Sequence, residues 1–156
     1  MTTLAQVNRF LAHKRLAFVG VSRDPKDFSR QLFRDMEARG YDVVPVNPAG
    51  DEIEGRHCFR TVRDIEPPVE AALVMTPPKV TAEVVQDCHT AGIHEVWLHR
   101  GGGQGSVSTE AVDYGTSHSM DIVTGFCPYM FLPETAFPHR AHGFILKLTG
   151  RYPGSV

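Results

Sequence analysis

The run Gly20-Val21-Ser22-Arg23-Asp24-Pro25, followed by Lys26 and Arg30, brings together a glycine, a hydroxyl and three cationic side chains. It follows an apolar strand-like run and precedes a helical pattern. A turn in that place offers backbone N–H groups and the positive end of a helix dipole, which suits a phosphate. The dinucleotide fingerprint G-x-G-x-x-G is broken where Ser22 and Pro25 stand for its second and third glycines. It is broken again at the end of the second strand, where Asn47-Pro48 replaces the acid that holds an adenosine ribose. Both failures count against hydride transfer. The added cations favour an anion carrying more charge than a bare pyrophosphate.

Other residues allow other chemistries. Cys127, beside Pro128 at the end of the last apolar run, is either a small core residue or a thiol facing the same crevice. Gly101-Gly102-Gly103-Gln104-Gly105 is either a flexible loop or a second cradle of N–H groups. His139 and His142, three apart on an expected helix, are weak metal candidates without a ligand cluster around them, so no metal is expected. No G-x-S-x-G elbow and no other catalytic constellation is present, and the reading favours binding over catalysis.

These groups need a scaffold, and the chain carries the pattern for one. Apolar runs at 16–21, 43–46, 71–75, 95–98 and 121–126 alternate with helical stripes. The first crossover places Phe28, Leu32, Phe33 and Met36 on one face and ends at Gly40; the second opens at Pro77-Pro78, repeats Val80, Val84, Cys88 and Ala91, and stops at Gly92. A poorer stripe of Val107, Ala111 and Tyr114 joins strands four and five. Ahead of them all, Thr3 and Gln6 in capping-box spacing predict a short amphipathic helix. The expected fold is α/β, a Rossmann-like doubly wound five-stranded parallel sheet of order 3-2-1-4-5. Its ligand crevice would lie between strands one and four, where GVSRDP and HRGGG meet. One domain is expected over 1–156, with a core of about 14–128 and an extension at 129–156 that contains a helix at 140–148.

Composition narrows the partners. With 156 residues, 42% hydrophobic and 22% charged, the chain is that of an ordinary globular domain. A net charge of −2 supplies no field for a nucleic acid or an acidic membrane, so an anion must be held locally. Three scattered cysteines and the absence of a leader or a spanning segment predict reduced thiols in a cytoplasmic setting.

Several motifs in register then converge. GVSRDPKDFSRQLFRDMEARGYDVVPVNP, with EIEGRHCFRTVRDIEPPVEAALVMTPP and AGIHEVWLHRG, resembles the stand-alone CoA-binding domain family. That family is similar to the amino-terminal CoA-binding domain of the succinyl-CoA synthetase alpha subunit. The likeness runs from about Leu16 to Pro128, and its most diagnostic piece is GY-x-V-x-PVNP followed by I-x-G, here Gly40 to Pro48 and Ile53 to Gly55. It implies that Gly20, Ser22 and Arg23 wrap a CoA pyrophosphate with Lys26 nearby, and that Asn47 and Pro48 lie beside the adenosine. It further implies that Thr76, Pro77 and Pro78 line the nucleotide, and that Leu98, His99 and Gly101 match a W-L-Q-x-G segment. Two positions depart from the pattern: Met75-Thr76 replaces an aromatic-Arg pair, and Gly125-Phe126 precedes Cys127-Pro128 where charges are usual.

CoA also makes physical sense of the residues. Its ribose 3′-phosphate adds charge, for which Arg23, Lys26, Arg30, Lys79 and Arg100 are candidates, and its pantetheine arm needs an apolar groove, for which Val21, Phe126 and Met130 are candidates. The function expected is non-catalytic binding of CoA or acyl-CoA. A small NAD(P)- or nucleotide-binding oxidoreductase-like protein is the alternative, and a metal- or partner-binding protein that has lost its nucleotide the third. A homodimer, or association with an acyl-CoA enzyme, completes the expectation.

Overall fold

A computed structural model describes residues 1–101, 103 and 105–133. Helix α1 (Leu4–Ala12) begins at the predicted capping box, in which Gln6 N–H donates to Thr3 Oγ1 and Thr3 N–H to Gln6 Oε1. Strand β1 (Arg15–Val19), helix α2 (Phe28–Ala38) and strand β2 (Asp42–Val46) form the first crossover. A hairpin of β3 (Glu52–Ile53) and β4 (Arg56–His57) and a single 3-10 turn at Val62–Asp64 lead to β5 (Ala71–Val74). Helix α3 (Pro78–Thr90), β6 (Glu95–Leu98), α4 (Thr109–Ser117) and β7 (Asp121–Thr124) follow. The expected helix at 140–148 lies outside the described residues, as do His139 and His142.

The fold class is as expected, a five-stranded parallel α/β sheet, but the strand order is not. The sheet runs β2-β1-β5-β6-β7, with every neighbour parallel. Counting only its five strands, the order is 2-1-3-4-5 rather than 3-2-1-4-5. Right-handed crossovers explain it. Helix α2 carries the chain to one side of β1 over one face, and the segment 47–70 returns over the other face to place β5 on β1's free side. The switch point therefore lies between β1 and β5, so the loops that meet there are GVSRDP and MTPPK.

Strands β2, β1, β5 and β6 are buried on both faces, and their alternate residues feed two cores. Phe18, Val43, Leu73 and Trp97 pack toward α1 and α2, whereas Ala17, Val44, Val74 and Leu98 pack toward α3 and α4. Trp97, fully buried, stacks edge-on against Phe10 at 5.3 Å between centroids and donates its indole N–H to Phe126 O at 3.0 Å. Among the described residues, no helix is long and apolar enough to cross a membrane.

The buried face of α3 also differs from the predicted stripe. Thr81, Ala82, Val85 and Cys88 are buried, while Val80 is 36% exposed. Val85 and Cys88 are buried against the sheet, Val84 and Ala91 pack partly buried at the edge of the same core, and Val80 turns outward. This rotation leaves two valines for a surface groove.

Candidate functional site

Three strand ends meet at the switch point. Gly20 N–H donates to Val46 O at 3.0 Å and Met75 N–H to Val19 O at 2.8 Å, so β1 is stitched to both neighbours as it ends. Gly20 has φ +88°, and a Cβ there would lie 2.9 Å from the Met75 carbonyl carbon and 3.0 Å from Thr76 N. Only glycine allows the backbones to approach this closely. Asn47 closes the third side: its Nδ2 donates to Val21 O at 2.9 Å while its Oδ1 accepts from Ala49 N–H at 2.9 Å. The end of β2 thus carries a neutral brace where dinucleotide enzymes place an acid.

The loop after β1 does not open directly into a helix. Helix α2 starts only at Phe28, and its first turn is capped by Asp27, whose Oδ1 accepts from Ser29 N–H at 2.8 Å. A carboxylate of the chain itself already sits at the dipole's positive end. An anion must therefore be met by the loop. Ser22 N–H donates to Ser29 Oγ, and Ser22 Oγ accepts from Asp24 N–H. Arg30, expected among the phosphate cations, holds the loop instead. Its guanidinium donates to the Ser22 and Arg23 carbonyls, each at 3.2 Å, and to Glu54 Oε1 at 2.6 Å.

Glu54 stands at the tip of the β3–β4 hairpin, where Glu54 and Gly55 both have positive φ, the signature of a two-residue turn. Arg34 reaches the same carboxylate at 2.9 Å. The hydrogen bond from Arg30, helped by Arg34 and opposed by burial, holds the Glu54 carboxyl below its ordinary value of 4.5. A folded value below the unfolded one contributes stability above the unfolded value, lost as pH falls through the folded one. The urea midpoint of the native chain should therefore fall more steeply with pH below about 4.5 than that of Glu54→Gln. Parallel curves would separate the hairpin contact from stability.

The remaining cations are spread along the loops. Arg23, half exposed, donates to Gly50 O at 3.2 Å and lies 3.5 Å from Asp51 Oδ2. Lys26 and Lys79 are exposed, with no side-chain partner among the described residues. Arg100 turns onto its own loop, with Nε donating to Gly103 O at 3.0 Å.

Beside these loops, on the α3 face, is a groove of about 340 Å³ that the sequence did not reveal. Gly20, Pro48 and Thr76 form its loop side, and Val19, Val46, Val62, Val80 and Val84 its apolar walls. Thr76 is fixed by a 3.0 Å hydrogen bond to Thr81. Pro77 and Pro78 enter α3 at this rim, with Pro78 as its first residue. The groove is large enough for one nucleoside-sized group, and too small for a whole CoA. The signal for it was the exposed Val80, hidden in a stripe that looked like core.

Other expected contributors lie elsewhere. Val21 is fully buried and Phe126 is buried in the α1–α2 core, so Val21 lines no groove. His99 is buried against Phe28, with ring centroids 5.6 Å apart, and Gly101 follows it in an exposed loop. Cys127 is 4% exposed, and burial pushes its thiol up to about 11. The same cause raises Cys88 to about 12. Iodoacetamide at neutral pH should therefore leave Cys58, Cys88 and Cys127 unmodified in the folded chain and alkylate all three in denaturant, by intact mass. Rapid alkylation of Cys127 in the folded chain would restore it as a reactive thiol. Among the described residues no group of three or more His, Cys, Asp or Glu is arranged to hold a metal.

A parallel α/β sheet of order 2-1-3-4-5, with three loops converging beside an apolar groove at its switch point, defines a Rossmann-like, doubly wound class of domain. Comparison with known proteins narrows the class. Residues 14–133 match the family model of the CoA binding domain, and the chain belongs to that family. It is 28% identical over 88 residues to the alpha subunit of ADP-forming acetate–CoA ligase II from Pyrococcus furiosus, a match covering 56% of this chain and 19% of that one. The chain thus spans about one fifth of that ligase subunit. It is 25% identical over 114 residues to YneT of Bacillus subtilis, covering 73% of this chain and 82% of that protein. Among solved structures, a hypothetical protein from Pyrococcus horikoshii OT3 superposes with a TM-score of 0.73 at 29% identity, covering 80% and 85% of the two chains.

Proposed function

We propose that the chain is a non-catalytic module that binds CoA or acyl-CoA at the switch point between β1 and β5. The observation that carries this is the convergence of Gly20, Pro48 and Thr76 on one apolar groove in a chain of the CoA binding domain family. In this reading the groove takes the adenine, and the loop 20–23 takes the pyrophosphate through the Arg23 side chain and the N–H groups that the bonds of Gly20 and Ser22 leave over. Asn47, Pro77 and Pro78 shape the rim, and Lys26 and Lys79 supply charge for the remaining phosphate. The neutral Asn47 brace favours CoA over NAD, whose ribose usually meets a carboxylate there.

Binding without transformation fits the groups nearby. The buried Cys127 thiol, with its raised pKa, is a poor nucleophile. The likeness to a ligase subunit supports an acyl-CoA enzyme as partner, and the module would then hold the cofactor for chemistry performed by another chain. Denaturing the purified protein and identifying the released small molecule by mass spectrometry tests the ligand. CoA or a CoA thioester is expected; stoichiometric release of NAD(P) would overturn the proposal.

A further inference from the structure

The groove wall contributed by α3 is not wholly apolar. Val80, Glu83, Val84 and Asp87 recur at spacings of three and four, so one helical face presents two valines and two carboxylates to the groove. Asp87 is already matched, its Oδ1 lying 3.4 Å from Arg63 Nε. The other polar groups of the lining are engaged as well: Arg60 donates to Pro48 O at 3.4 Å, Thr61 accepts from Arg63 N–H, and Thr76 pairs with Thr81. Glu83 has no partner among the described residues. It is an acceptor-only group set between two valines, one of them, Val80, left 36% exposed.

We infer that Glu83 makes the groove selective for a purine carrying an amino group at position 6, by accepting a hydrogen bond from that group. The inference rests on the reading of the groove as the adenine subsite. A flat heteroaromatic ring lying against Val62, Val80 and Val84 would bring its polar edge toward the helix face that holds Glu83. Adenine presents an amino donor at that edge, and a carboxylate accepts from it. A 6-oxo purine presents a carbonyl oxygen at that position, which a carboxylate repels, and its donor is the ring N1–H one atom away, which a carboxylate aimed at position 6 does not meet without moving. Asp87, engaged with Arg63, does not compete for the same donor.

Titration calorimetry with CoA and with deamino-CoA, in which an oxygen replaces the 6-amino group, tests the assignment on the native chain, Glu83→Gln and Glu83→Ala. The native chain is expected to bind CoA about tenfold more tightly than the deamino analogue, equivalent to ~1.4 kcal/mol. In Glu83→Gln, whose amide both donates and accepts, the ratio should fall to near one, and Glu83→Ala should lose it too. Glu83 is exposed on a surface helix, and unchanged melting of the variants would show that the fold is intact. A preference that survives in both variants, or its absence from a native chain that binds CoA, overturns the Glu83 assignment alone. Failure of the native chain to bind either compound removes the CoA reading and this inference with it.

Discussion

Gly20→Ala will cost about 3 kcal/mol or more, whereas Gly40→Ala will cost about 1 kcal/mol. Both glycines have φ near +90°, at +88° and +87°, so a left-handed conformation is imposed on alanine equally at the two positions. What differs is the space. A Cβ at Gly40 has nothing within 4 Å, while one at Gly20 meets the Met75 and Thr76 backbone at 2.9 to 3.1 Å. Those atoms are backbone directly after β5, where Met75 N–H is bonded to Val19 O, and cannot rotate away, so the loop after β1 must lift from its neighbour. The damage reaches function by the same route, because the displaced atoms form the loop side of the groove. Urea unfolding should show a midpoint loss for Gly20→Ala well over twice that for Gly40→Ala, with CoA binding weakened only in the former. Equal losses would mean that the close approach of β1 and β5 is not what requires glycine.

The second large effect concerns Arg30, whose guanidinium joins the loop after β1 to the hairpin of β3 and β4. Arg30→Met keeps the unbranched apolar stem of the side chain and removes its charge-assisted bonds to Glu54 and to two loop carbonyls. The side chain is only 11% exposed, so these bonds are worth more than those of a surface pair. A loss of about 2 kcal/mol is expected, softened because Arg34 still reaches Glu54. The double variant Arg30→Met with Glu54→Gln should lose less than the sum of the single losses, since the groups act together. Strict additivity would contradict the contact. CoA affinity should fall as well, although Arg30 faces the protein, because the Ser22 and Arg23 carbonyls lose their anchor.

The elements of the sheet were legible because strands buried on both faces read as continuous apolar runs, and because Gly40, Pro78 and Gly92 punctuate their helices in the usual places. The strand order was not. The hand of each crossover fixes the face it covers, but five runs of similar hydrophobicity do not reveal that Ala71 and Ala72 occupy the middle of the sheet. That position moved the switch point from the fourth strand to the third and took HRGGG away from it. The loop residues Gly20, Asn47 and Thr76 were legible as a group through the family resemblance, and the structure brings them to one place. The anchoring contacts of Arg30 are not legible in the sequence, because its partner Glu54 is remote along the chain and looks like any surface acid. Val62 and Val80 were missed because one lies in an irregular segment and the other imitates a core stripe. Cys127 reads as either a core residue or a reactive thiol, and its burial and raised pKa support the first reading, which the alkylation experiment tests.

The loops at the β1–β5 switch point are proposed to hold CoA. Calorimetric titration of the purified chain with CoA, with NAD in parallel and Arg23→Ala as the loop variant, addresses that proposal directly. Saturable one-to-one binding of CoA, weak or absent binding of NAD, and a loss of at least about tenfold in Arg23→Ala are predicted. Binding of NAD in preference to CoA, or CoA binding untouched by Arg23→Ala, would contradict it.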